Sequence, residues 1–201
     1  MKATAIILAG GKNLRLGRNK AAETIGGKSI IERVIERVSP LADQILIVSS
    51  AERTEFKGIG KAEVLADLYP GGGPLGGIYT GLVKAKAEYS VAVACDMPFL
   101  NTRLLGYMLE QAAGFDAVVP LIDGGLMEPL HSVYAQSAIE KMKAFIDKKQ
   151  LSLIPVIKRL NVRYIQPEES RRFDPKLLSF FNINYPRDVE RAIAIEAEGN
   201  S

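Results

Sequence analysis

The sequence predicts an α/β fold, a single-domain, Rossmann-like three-layer α/β/α sandwich with a largely parallel, mixed sheet spanning residues 1–201. Three observations predict it. Apolar, strand-like runs alternate with segments of helical periodicity from the start of the chain, the pattern of parallel strands joined by crossover helices. The first run ends in paired glycines, Gly10 and Gly11, which let the backbone turn sharply at the carboxyl end of a strand. The 201 residues, 47% of them hydrophobic, suit one core of ordinary size, and no Ser/Gly-rich tether, repeat or low-complexity stretch divides them.

Each element has its own pattern. "TAIILA" is the first buried strand, and "QILIVSS", "AEVLA", "YSVAVACD" and "DAVVPL" are the strands after it. Ile30, Ile31, Val34, Ile35 and Val38 recur at helical spacing behind Ser29, a suitable N-cap. Leu75 to Ala87 and Asn101 to Ala113 read as two further helices. In the less regular second half, "LHSVYA" reads as a strand and Ser137 to Asp147 as a helix. "SLIPVIKRL" comes next as a short helix with Pro155 in its first turn, and "VRYIQ" as another strand. Pro186 opens a closing helix through "RDVERAIAIEA", and the polar tail "EAEGNS" is expected to fray.

Composition narrows the function classes. A single cysteine, Cys95, cannot form an internal disulfide, which points to a reducing compartment, the cytoplasm by default. No apolar stretch reaches the roughly 20 residues that span a bilayer, so a soluble chain is expected. The net charge of +3 suits an anionic small molecule, but Lys and Arg are scattered, which argues against nucleic-acid binding.

Two motifs are decoys. "GGKS" at 26–29 resembles the end of a P-loop, yet Ala22 stands where the required glycine would be, so a turn and helix cap are expected. "GGGPLGG" at 71–77 contains the dinucleotide spacing G-x-G-x-x-G but does not come after the first strand, and Pro74 interrupts it.

Other stretches carry chemistry. In "IILAGGKNLRLGRNK" a glycine turn comes after the first strand and leads on to Arg15 and Lys20, a combination suited to phosphate. A plain turn with solvated cations is the alternative. Asp96 ends the strand "VAVACD" on the same side of the sheet as the loop after Leu8, which makes it a candidate metal ligand; a turn-starting Asp is the bland reading. Asp67 and the glycine-rich loop behind it lead into a helix N-terminus that favours an anion or a base edge. Asn182 and Asn184 share one face of an extended segment and either hold a polar heterocycle or satisfy backbone groups. His131, the only histidine, and Cys95 are read as packed structural residues.

In this order, "LAGGKNLRLGRNK", "DLYPGGGPLGGI", "CDMPFL", "EPLHSVY" and "FFNINYPRDV" resemble the molybdenum cofactor guanylyltransferases of the MobA type, through nearly the whole chain. The resemblance implies magnesium-dependent transfer of GMP from GTP to molybdopterin or its molybdenum-loaded form, with release of pyrophosphate. It also implies roles. Leu8, Ala9, Gly10 and Gly11 would contact the guanine nucleotide through the backbone, Arg15 and Lys20 would bind phosphate, and Asp67 would contact the nucleotide. Asp96 would hold Mg2+, and Asn182 and Asn184 would lie on the pterin side. The sequence departs from the family at Asn19, where Asp is frequent before the motif lysine, and at Ser49 or Ser50, which replaces a nucleotide-contacting Asn. A cytidylyltransferase of the same fold and a non-catalytic nucleotide-binding module are the competing expectations.

Overall fold

The computed structural model describes residues 2–10, 23–49, 56 and 58–199. Its strands are β1 (Ala3–Leu8), β2 (Thr24–Ile25), β3 (Lys28–Ser29), β4 (Ala42–Ser49), β5 (Ala62–Ala66), β6 (Tyr89–Ala94), β7 (Ala117–Ile122), β8 (Leu126–Met127), β9 (His131–Ala135) and β10 (Val162–Ile165). The α-helices are α1 (Ile30–Val38), α2 (Gly73–Lys84), α3 (Thr102–Glu110), α4 (Ile139–Asp147), α5 (Leu153–Ile157), α6 (Pro167–Arg171) and α7 (Pro186–Gly199). Among the described residues, no helix is long and apolar enough to cross a membrane.

The main sheet runs β10-β7-β9-β6-β1-β4-β5, with β8 paired to β7. β9 is antiparallel to both neighbours, and the other pairs along this order are parallel. The mixed, largely parallel sheet is therefore as the alternating pattern predicts. Alternation along the central strands divides the core between two faces. Ala5 and Ile7 of β1 and Val91 and Val93 of β6 pack with Ile30, Ile31 and Val34 of α1 and Leu104, Leu105 and Met108 of α3. Ile6 and Leu8 of β1 and Ala92 of β6 pack on the opposite face with Leu75, Ile78 and Leu82 of α2 and Met142 and Ile146 of α4. Each fully buried Ile, Leu or Met side chain contributes roughly 1.5–3 kcal/mol, so both helical layers are held by the sheet they cover.

Two details of packing fix the site's surroundings. The "GGKS" stretch is indeed turn and cap. Gly26 and Gly27 take positive φ between β2 and β3, and Ser29 and Glu32 form a reciprocal capping box at the start of α1. The glycines of α2 let that helix lie directly on β1. A Cβ on Gly81 would stand 2.5 Å from Ile6 Cγ2, and one on Gly77 would stand 2.9 Å from Leu8 Cδ2. Part of the glycine content of "GGGPLGG" thus serves helix-to-strand approach and not a ligand.

Several boundaries differ from the sequence expectation. α2 begins two residues earlier than Leu75, with Pro74 in its first turn where a missing N–H costs nothing, and it ends at Lys84. Residues 136–138 form a 3-10 turn that delays α4. The β2–β3 hairpin, β8 and α6 have no counterpart in the sequence reading, because strands of two residues and a helix of five are too short to show periodicity.

Candidate functional site

Four parallel strands end side by side, and the backbone ladder continues past their ends. Ala9 N–H donates to Val48 O at 2.8 Å, Asp67 N–H to Ser49 O at 2.8 Å and Cys95 N–H to Leu8 O at 3.1 Å. The ladder places Gly10, Ser49, Asp67 and Asp96 along the carboxyl edge of β1, β4, β5 and β6. The chain reaches β4 and β5 on one side of β1 and β6 on the other, so this edge includes the switch in strand order at which open α/β sheets bind ligands.

A cavity of about 540 Å³ lies over the edge. Leu8, Gly10, Asp67, Asp96, Asn182 and Asn184, all singled out in the sequence, line it together. Ala9 is buried at 2% exposure in the core and is not part of the lining. Gly11, Arg15, Lys20, Asn19 and Ser50 lie outside the described residues. Ser49, one of the two positions of the family departure, also lines the cavity.

Each acidic or amide group is held by its neighbours. Asp67 Oδ1 accepts from Tyr69 N–H and from the buried Thr80 hydroxyl, both at 2.9 Å, which fixes the start of the glycine-rich loop beneath the cavity. Gly71, Gly73 and Pro74 carry the lining on from Asp67 to the first turn of α2, whose N-terminal N–H groups therefore stand at the cavity. Asp96 is half-buried, and its carbonyl oxygen accepts from Ile183 N–H at 3.0 Å. The buried Ile183 lies between Asn182 and Asn184, which take the opposite face. Asn182 Nδ2 donates to Phe180 O at 3.0 Å, so this residue satisfies a backbone carbonyl, as one of its two sequence readings has it, and also lines the cavity.

The structure adds a residue that sequence reasoning missed. Glu128, half-buried just before β9, lines the cavity with Leu130. Burial pushes its carboxyl above the usual carboxylate range; the Leu130 N–H opposes this and the Asp96 charge adds to it. Its placement comes from the antiparallel pairing of β9 with β6, because Ala94 N–H donates to Leu130 O at 3.1 Å and brings the loop before β9 to the same edge. The motif "EPLHSVY" held the residue, but no local pattern marks a carboxylate in a short loop as lining a site.

His131 is fully buried away from this lining. Its ring lies 4.9 Å from that of Phe180, and neither ring nitrogen has a hydrogen-bond partner among the described residues. Burial lowers its pKa to about 4, in keeping with a packed, neutral imidazole. Cys95 differs from a plain core residue, being half-buried and part of the cavity wall. Among the described residues no group of three or more His, Cys, Asp or Glu side chains gathers as a closed metal site. An open arrangement, in which one or two carboxylates share a hard cation with ligand phosphates, is what the lining can provide.

The order of strands also gives the cavity a length. From β5, which Asp67 follows, to β9, which Glu128 precedes, are four strand spacings, about 19 Å along the edge, with β6 and Asp96 between them. That is room for two linked ring systems joined near the middle.

Residues 5–162 match the model of the MobA-like NTP transferase domain. A molybdenum cofactor guanylyltransferase of Desulfosudis oleivorans is 37% identical, the match covering 95% of this chain and 94% of that protein. A probable molybdenum cofactor guanylyltransferase of Peptoclostridium acidaminophilum is 32% identical over 97% of this chain and 90% of its own length. Among solved structures, molybdopterin-guanine dinucleotide biosynthesis protein A of Archaeoglobus fulgidus superposes with a TM-score of 0.84 at 34% identity, covering 97% of this chain and 99% of that one. The 2-C-methyl-D-erythritol 4-phosphate cytidylyltransferase of Thermus thermophilus, at 16% identity and a TM-score of 0.71, covers 98% of this chain and 100% of its own and shares the fold alone.

Proposed function

The chain belongs to the MobA-like NTP transferase family, and we propose that it acts as one nucleotidyltransferase domain that transfers GMP from GTP to molybdopterin or its molybdenum-loaded form, releasing pyrophosphate in the cytoplasm. One observation carries the reading: Gly10, Asp67, Asp96, Asn182 and Asn184, distant in sequence, line a single cavity at the switch in strand order.

The nucleotide takes the end formed by Gly10, Ser49, Asp67 and the loop leading into α2. Backbone N–H groups there suit its phosphates, and the positive end of the α2 dipole favours their charge. The acceptor takes the end beyond Asp96, against Asn182 and Asn184. Its terminal phosphate attacks the α-phosphorus in line with the departing pyrophosphate. This transfer needs no covalent nucleophile from the chain, which positions the two phosphates and neutralises their charge. Arg15 and Lys20 grip the leaving pyrophosphate as its charge grows.

The half-buried carboxylate of Asp96 fits a divalent cation, magnesium in this reading, because hard cations of this kind bind through one or two carboxylates together with phosphate oxygens and water. When bound, the cation supplies further neutralisation of the phosphates.

The test measures pyrophosphate release with GTP or CTP, with and without molybdopterin, at varied magnesium. Release that requires GTP and molybdopterin is expected. Preference for CTP would give the cytidylyltransferase reading, and nucleotide binding without release would give the binding module. A thermal-shift series gives a second check, since GTP with magnesium should raise the melting temperature more than CTP or ATP does.

A further inference from the structure

Glu128 is left without a part in the transfer proposed above, yet it lines the same cavity. Its backbone is fixed from both sides. Glu128 N–H donates to Pro120 O at 3.0 Å, and Glu128 O accepts from His131 N–H at 3.2 Å and from the Ser132 hydroxyl at 2.8 Å. The carboxylate is therefore presented from an anchored base, the condition for precise recognition. Leu130 N–H donates to the Glu128 carboxylate at 3.4 Å, the Asp96 charge bears on it, and the apolar Leu130 and the amides Asn182 and Asn184 line the same cavity. An apolar surface with a few convergent polar groups suits a flat heterocycle, and a carboxylate repels phosphate but accepts from N–H donors.

We propose that Glu128 reads the acceptor's pterin ring, its two carboxylate oxygens accepting the ring N–H and the exocyclic NH2 of the 2-amino-4-oxopyrimidine edge as a bidentate pair. The inference rests on molybdopterin being the acceptor and gives Glu128 the role of a specificity-determining residue. Such a pair is charge-assisted and planar, so it discriminates against a ring that carries a carbonyl at the same carbon. The four strand spacings from β5 to β9 suit this division, one end for the base and the other for the pterin.

The experiment titrates 6-hydroxymethylpterin and the matching lumazine, in which a carbonyl replaces the 2-amino group, by their fluorescence. Both are added to protein holding a non-hydrolysable GTP analogue and magnesium. Wild type is expected to prefer the pterin by roughly 10- to 100-fold, the range for one charge-assisted pair, and Glu128→Gln is expected to lose that preference. The amide keeps an oxygen for the Leu130 N–H, so the melting temperature and the affinity for the GTP analogue should be retained. Manganese binding, measured by electron paramagnetic resonance, should also be retained. A preference that survives in Glu128→Gln overturns the inference alone, as does equal binding of both rings by wild type. Loss of manganese affinity overturns it too, making Glu128 a ligand of the cation beside Asp96. Failure of wild type to bind either ring overturns the acceptor reading and the inference with it.

Discussion

The backbone N–H of Ile183 donates to the carbonyl oxygen of Asp96 at 3.0 Å, which ties the segment bearing Asn182 and Asn184 to the loop that ends β6. Ile183 is fully buried, and alternation along the extended segment then turns both asparagines the other way, into the cavity. The bond joins main chain to main chain, so side-chain changes at Asp96 leave it in place.

Asp96→Asn should therefore fold normally and fail as a ligand. A neutral amide is a weaker donor to a hard cation than a carboxylate. Turnover is expected to fall by at least about 100-fold, the lower end for removal of one charge-stabilising group, with a raised magnesium requirement. Pyrophosphate release across a magnesium titration checks this, with near-wild-type activity at limiting magnesium removing Asp96 from the cation site.

Arg15 and Lys20 are expected to act on the leaving group. Replacement of either by alanine should lower turnover at saturating GTP by roughly 10²- to 10³-fold. Saturation matters because the same phosphates are present in the bound substrate, so affinity changes must be separated from the transition-state effect. Wild-type turnover at saturation in both variants would leave the stretch a turn with solvated cations.

The strands that build the site are legible in the sequence because buried parallel strands are continuous apolar runs, as in "AIIL" and "VAVA". Gly10 and Asp96, just past the ends of those runs, are legible with them, since chain order alone puts these residues at carboxyl ends. Glu128 is not. Its approach to Asp96 depends on β9 inserting antiparallel between β6 and β7, a pairing that no local pattern encodes. The glycines of α2 are visible in the sequence but their purpose is divided, because the approach of Gly81 to Ile6 exists only once helix and sheet are packed.

That packing predicts opposite outcomes at two helical glycines. In Gly81→Ala the new Cβ meets three Ile6 side-chain carbons at 2.5–2.8 Å. Overpacking costs about 1–3 kcal/mol, and the upper end applies to so close a contact. The gain of about 1 kcal/mol in helix propensity offsets part of it, leaving about 1–2 kcal/mol of net destabilisation. In Gly106→Ala the nearest atom, Leu41 Cδ2, is an ordinary 3.6 Å away, so α3 should gain about 0.5–1 kcal/mol. Denaturant unfolding of both variants measures the two signs.

His131 makes the stability of the fold depend on pH. Its ring is fully buried between β9 and Phe180, and burial lowers its pKa from 6.5 to about 4. The unfolded chain takes up a proton on this residue as the pH falls below about 6.5, while the folded chain resists until about 4. Stability should therefore be lost progressively across that window as the pH falls, by about 3 kcal/mol at most for a single group. Carboxylates also titrate in its lower part, so the comparison must be with a variant that lacks only the imidazole. His131→Leu removes two unpartnered buried nitrogens and keeps an apolar side chain, so at pH 7 it should be as stable as wild type within about 1.5 kcal/mol. Its advantage over wild type should grow as the pH is lowered from 6.5 to 4. Denaturant unfolding of both proteins at matched pH values measures the difference, and parallel curves would show that His131 is already paired or solvated in the folded state.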